Sequence, residues 1–247
     1  MKILVLIGNV PDTTTKIKFN ADKTAFDASG VQWIINPWDE LALTRAMELK
    51  ETAGSGIEQV TVANVGKQDT EATLRKALAI GADKAIRVDA EPKDAFFVAT
   101  QLAQVAKGYD LIFSGIEASD YNGAAVGGML AEILEIQSVS GVSNLQLDGN
   151  KVKLVREIEG GSQNVQLNCP MMAIVQKGIA KEPRIPAMRG IMMARTKPLE
   201  VVAPVDTATR VSFASFDLPP AKAACKKFTE DQVSQLIHAL RDEAKVL

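Results

Sequence analysis

Residues 60–115 read VTVANVGKQDTEATLRKALAIGADKAIRVDAEPKDAFFVATQLAQVAKGYDLIFSG, and they set three apolar runs against two helical patterns. VTVANV at 60–65 and LIFSG at 111–115 are nearly continuous in apolar residues, as strands covered on both faces are. Helical periodicity spans Thr70 to Ile80 and Asp94 to Lys107, with the short run AIRV at 85–88 between them and Gly81 placed to stop the first helix. Strand and helix alternate, which predicts an α/β fold built on a doubly wound, mostly parallel sheet.

Upstream, KILVLI at 2–7 reads as a first buried strand, and Asn36-Pro37 reads as the N-cap and first-turn proline of a helix running to Lys50. The polar insertion KIKFNADKTAFDASGVQWII at 16–35 suggests a hairpin turning at Asn20 to Lys23. Downstream, Tyr121 to Leu134 reads as a helix. KVKLVREIEGGSQNVQLNCP at 151–170 alternates apolar and polar residues about Gly160 and Gly161, a β-hairpin, and MMAIV at 171–175 is the next strand. The segment QKGIAKEPRIPAMRGIMMAR at 176–195 combines prolines, alternating charge and bare aliphatics, so it is expected to be an exposed loop. Solvent-facing apolar side chains on such a loop suit recognition of a partner. Pro198, Pro204, Pro219 and Pro220 make Thr196 to Lys226 irregular and extended, and a helix from Glu230 to Ala244 with Val233, Leu236, Ile237 and Leu240 on one face closes the chain. The expected organisation is an α/β domain over 1–195 and, over 196–247, an extended arm with a C-terminal helix that packs on a partner.

The chain has 247 residues, 47% of them hydrophobic, and a net charge of -2, which argues against a surface for the nucleic-acid backbone. No run approaches the ~20 apolar residues of a membrane span, and the apolar stretch before Pro11 is too short for a secretory signal, so a cytoplasmic protein is expected. Cys169 and Cys225 lie outside any C-x-x-C spacing and are expected as small buried hydrophobes, with neither a disulfide nor a metal site. His238 is the single histidine and falls in the C-terminal helix, leaving none for a nucleophile-histidine pair. No catalytic residues are expected.

Ligands of open α/β sheets bind outside the carboxyl ends of the strands, near the point where strand order reverses. The leading candidate is GIEASDYNGAAVGG at 115–128, where glycines before a helix let main-chain amides approach a phosphate. Lacking a lysine, such a loop suits static binding rather than phosphoryl transfer. The second candidate is NPWDE at 36–40, in which Asn36 and first-turn amides could bond a purine edge or ribose and Trp38 could cover a ring. A stand-alone adenine-nucleotide hydrolase or synthetase would instead place a Ser-Gly-Gly loop after the first strand, where Gly8-Asn9-Val10-Pro11 stands.

Four of these pieces resemble, in order, the beta subunit of electron transfer flavoproteins. They are NPWDELALTRAMELK, TLRKALAIGADKAIRV, VREIEGG and KEPRIPAMRGIMMARTKP. The resemblance implies an electron carrier rather than an enzyme: one half of an alpha/beta heterodimer that passes electrons from flavin dehydrogenases, such as acyl-CoA or amine dehydrogenases, to a downstream acceptor. It implies FAD held mainly by the alpha subunit and a structural AMP in this chain. The AMP would sit at positions matching Leu6, Asn36, Pro37, Trp38, Asp39, Val65, Ala118, Ser119, Asp120, Asn122, Gly123, Ala124, Ala125, Val126 and Gly127. It also implies a recognition loop over 176–190 that docks dehydrogenases through an apolar anchor matching Ile179, followed by Glu182, Pro183 and Arg184. Two departures stand out: Ala125 and Val126 occupy places where many members have Gln-Thr, and AKEPR carries one extra residue. Val126-Gly127 and Met188-Arg189-Gly190 echo the bifurcating branch, in which the same crevice holds a second FAD that takes hydride from NADH.

Overall fold

The computed structural model describes residues 1–222 and 224–247. β1 (Lys2–Leu6) is followed by β2 (Asn9–Pro11) and β3 (Trp33–Ile35), which pair antiparallel as a small separate sheet. Next, α1 (Pro37–Glu51), β4 (Gln59–Val65), α2 (Glu71–Ile80), β5 (Lys84–Val88), α3 (Ala95–Ala106), β6 (Leu111–Gly115) and α4 (Val126–Ile133) alternate as the apolar runs foretell. β7 (Gln137–Asp148), β8 (Lys151–Ile158) and β9 (Gly161–Asn168) form an antiparallel meander, and β10 (Met171–Val175) returns to the interior. α5 (Met188–Ala194), β11 (Leu199–Val202) and α6 (Val233–His238) complete the order. The main sheet runs β11-β5-β4-β1-β6-β10-β7-β8-β9, with every pairing from β11 to β7 parallel.

The sheet is wound on both faces, because successive side chains of a strand point opposite ways. Ile3 and Val5 of β1 pack with Ala42, Leu43 and Ala46 of α1 and Leu74 and Leu78 of α2. Leu4 and Leu6 belong to the other layer, with Phe97 and Leu102 of α3 and Leu130 of α4. The chain moves from β1 outward to β4 and β5, then crosses back to β6 and β10. Strand order therefore reverses between β1 and β6, the position at which such sheets open a crevice.

Several local expectations are corrected. α4 starts at Val126 rather than Tyr121, because Asn122 and Ala124 take positive φ of 49° and 47°, which a helix cannot contain. The expected hairpin in the insertion is reduced to one bridge, Phe19 with Phe26, beside the β2–β3 pair. Segment 176–195 is not loop throughout, since it contains α5. That helix rests on α2 through Gly190, where a Cβ would lie 2.4 Å from the Ala79 carbonyl oxygen; the same glycine weakens the helical signal in the sequence. The arm is regular at its start, where β11 extends the sheet on β5. The C-terminal helix is broken into a 3-10 turn (Glu230–Gln232), α6 and a π turn (Ala239–Glu243), and Val233 and Ile237 on it are exposed. Cys225 is exposed on the arm rather than buried, and Cys169 is half-buried. No helix among the described residues is long and apolar enough to cross a membrane.

Candidate functional site

At the reversal between β1 and β6, one carboxylate organises the loops. Asp39, in the first turn of α1, is buried; its Oδ2 accepts the Gly8 N–H at 2.8 Å and its Oδ1 the Gly115 N–H at 2.6 Å. Gly8 follows β1 and Gly115 ends β6, so a single side chain ties the two central strands where they diverge. Asn36 adds a second layer. Its amide Nδ2 donates to Asp39 Oδ2 at 3.1 Å and to the Glu117 carbonyl at 2.8 Å, while its Oδ1 accepts the Ser119 N–H at 3.2 Å. Asn36 sits at the N-cap of α1 but caps nothing with its side chain; it fastens the loop after β6 instead. Burial pushes the Asp39 carboxyl up to about 6; the bonds from Gly8, Gly115 and Asn36 oppose that rise, and the nearby charge of Asp120 adds to it.

The loop held in this way runs through Ala118 and Ser119, half-buried, to Asp120, Asn122, Gly123 and Ala124, all exposed. It enters α4 through Ala125 and Val126, half-buried, with Gly127 buried behind them. No side chain caps α4, so its first-turn amides carry the partial positive charge of a helix N-terminus without a side-chain acceptor. Asp120 turns its Oδ1 back to the Tyr121 N–H at 2.9 Å, the turn-capping role common for an exposed aspartate. Leu6 and Val65 end β1 and β4 with their side chains in the core, leaving only their main chain at the crevice edge. Pro37 and Trp38 are half-buried beside the hub.

Two polar side chains at the same edge escaped the sequence reading. Asn64, near the end of β4, donates Nδ2 to the Ile7 carbonyl at 2.7 Å, but its Oδ1 is buried without a partner; Ser114 Oγ, near the end of β6, is likewise buried and unpartnered. Their signal is present in the chain, as the one polar residue near the carboxyl end of each apolar run. The buried Arg87 at the end of β5 is committed to Glu71, Asp89 and the Gly66 carbonyl. Of the two orphaned atoms only the Ser114 hydroxyl can donate, since Asn64 Oδ1 is an acceptor; the donor set is therefore mainly main-chain amide, which fits a phosphate held without a cation.

The docking positions divide. Ile179 is 3% exposed and packs in the core with Val142 and Leu145. Its expected exposure is corrected: Gly178, at φ 106°, turns the chain tightly against Ser143 of β7 and drives Ile179 inward. Glu182 and Pro183 are exposed. Arg184 is anchored, its N–H donating to Thr44 Oγ1 at 2.9 Å and its guanidinium pairing with Glu51 at 2.7 Å. Among the apolar side chains that the segment presents to solvent, Ile185, 88% exposed, and Met188, 74% exposed, stand out furthest, with Met192 also exposed.

Fold and site together define a doubly wound α/β protein with a loop crevice at its topological switch. Residues 23–207 match the electron transfer flavoprotein domain. The chain is 34% identical to "Electron transfer flavoprotein subunit beta" of Bacillus subtilis (strain 168), with 100% of both chains covered. It is 37% identical to the protein of that name from Methylophilus methylotrophus over 83% of this chain and 80% of the relative, and 32% identical to that of Homo sapiens over 96% of each. The chain belongs to the electron transfer flavoprotein family, among its beta subunits.

Proposed function

We propose that this chain holds one AMP as a structural ligand in the crevice between β1 and β6. It pairs with an alpha subunit that carries the FAD, and it docks flavin dehydrogenases of the acyl-CoA or amine class, so that electrons pass through that flavin to a downstream acceptor. The flavin supplies the redox chemistry when bound; this chain's residues bind, orient and dock. The observation that carries the nucleotide reading is the Asp39–Asn36 hub, which joins the loop after β1 to the loop after β6 beside the uncapped start of α4. A phosphate at those amides is stabilised by hydrogen bonds and the helix dipole together, so Ala125 and Val126 need contribute no side-chain donor.

The test is to purify the alpha/beta heterodimer, release the bound nucleotides and count them. One FAD with one AMP is expected. Two FAD per dimer, with the second taking hydride from NADH, would replace this reading with the bifurcating one. Docking is assigned to the exposed face of 185–192, where Ile185, Met188 and Met192 stand beside Arg189. An apolar anchor with a neighbouring cation fits an apolar pocket rimmed by acidic groups on the donor.

A further inference from the structure

From Val205 to Asp217 the arm after β11 stays on the domain. Val205 exchanges two hydrogen bonds with Gln101 of α3, donating its N–H to Oε1 at 2.9 Å and accepting from Nε2 at 2.7 Å, and Gln101 is fully buried. A buried amide whose paired bonds go to the arm's main chain is a built attachment, because leaving it unpaired would be costly. Further along, the Arg210 and Val211 N–H groups both donate to Asp94 Oδ2, while Asp94 Oδ1 accepts the Phe97 N–H and caps α3. The Arg210 guanidinium lies 4.8 Å from the centre of the Phe96 ring.

Beyond that point the arm crosses to the crevice. Phe213 stacks on Tyr121 at 5.1 Å between ring centres, Phe216 follows at 5.1 Å from Phe213, and Phe19 of the insertion stacks on Phe216 at 5.3 Å. The Phe216 N–H donates to the Lys23 carbonyl at 2.9 Å, and Lys23 pairs with Asp217 at 2.5 Å. Asp94 lies in the loop after β5, Tyr121 in the loop after β6 and Phe19 in the insertion after β1, all at the carboxyl edge of the sheet. The arm thus links the loops that flank the crevice, and one of its ring contacts falls on Tyr121, immediately before the left-handed residues that lead into α4.

We infer that residues 205–217 are a strap that closes the mouth of the crevice over the bound adenylate, with the ring series Phe19, Phe216, Phe213 and Tyr121 as its latch. Nucleotide leaves only when the strap lifts. Its role rests on the adenylate reading above. Removing Phe213 breaks two ring contacts at once, which makes opening about tenfold more frequent. Phe213 is largely exposed, so its truncation leaves the core intact.

The experiment uses the purified heterodimer, as wild type and separately as Phe213→Ala and Phe216→Ala. Each is loaded with radiolabelled AMP and chased with excess unlabelled AMP. Release about tenfold faster in both variants, with FAD content and subunit co-elution unchanged, is expected. Equal release rates with AMP present in all three proteins would overturn the strap while leaving the adenylate reading intact. A wild-type heterodimer that holds no adenine nucleotide beyond FAD would overturn both.

Discussion

Replacing Asp39 with Asn isolates the most informative balance of forces in the crevice. The wild-type carboxyl titrates near 3.8 when unfolded and at about 6 when buried in the native chain. Between those values the native state holds a proton that the unfolded state has released. Asp39 therefore contributes stability that is fully present below pH 3.8 and is lost as pH rises through about 6. A shift of roughly two units corresponds to about 3 kcal/mol across that window. The amide of the Asp39→Asn variant does not titrate, so its stability curve lacks this descent. Near pH 7 two effects oppose. The variant no longer buries a charge, which favours it by that same amount, but its amide presents NH2 to one of the two N–H groups that the carboxylate accepted. One buried donor left unpaired costs about 1–3 kcal/mol. The net change at neutral pH is thus small, within about 2 kcal/mol of zero, while at pH 4.5 the variant is clearly the less stable. Urea midpoints of the two heterodimers, followed by tryptophan fluorescence from pH 4 to 8, supply the comparison. Parallel midpoint curves across that range would refute the reasoning, because they would mean Asp39 is not desolvated in the native protein. Amide exchange at one of Gly8 and Gly115 should accelerate in the variant, since one of the two loses its acceptor.

Ile179→Ala and Ile185→Ala should separate packing from docking. The first removes a core side chain and is expected to cost about 2–4 kcal/mol, read as a lower Tm. The second, on an exposed residue, should leave Tm within about a degree while slowing flavin reduction by the cognate dehydrogenase, measured by stopped flow. Equal slowing with no loss of Tm for Ile179→Ala would return the anchor to that residue. Gly190→Ala places a methyl against the Ala79 carbonyl and should lower stability by about 1–3 kcal/mol as α5 is pushed from α2. Dehydrogenase reduction should slow with it, because Met188 and Met192 ride on that helix; an unchanged Tm would show that α5 moves away freely.

The pattern of apolar residues was enough to place the central architecture. VTVANV, LIFSG and MMAIV are apolar because both faces of a central parallel strand are covered, and that demand is written locally into the chain, as are Asn36-Pro37 at the start of α1 and Gly160-Gly161 between β8 and β9. NPWDE and 115–128 could be picked out as segments that meet at the carboxyl edge of the sheet, since the carboxyl ends of strands are known once the strands are. What only the tertiary structure decided depends on groups far apart in sequence. Asp39 works as a hub because Gly8 and Gly115 converge on it across 31 and 76 residues, and no local pattern encodes that meeting. Ile179 looks like an exposed anchor in a proline-rich segment, yet Gly178 turns it under β7. β11 and the strap likewise exist only through partners on β5, α3 and the insertion. Periodicity reports which side of an element is apolar; it does not report which element will cover that side, and the crevice, the buried isoleucine and the strap all follow from that second choice.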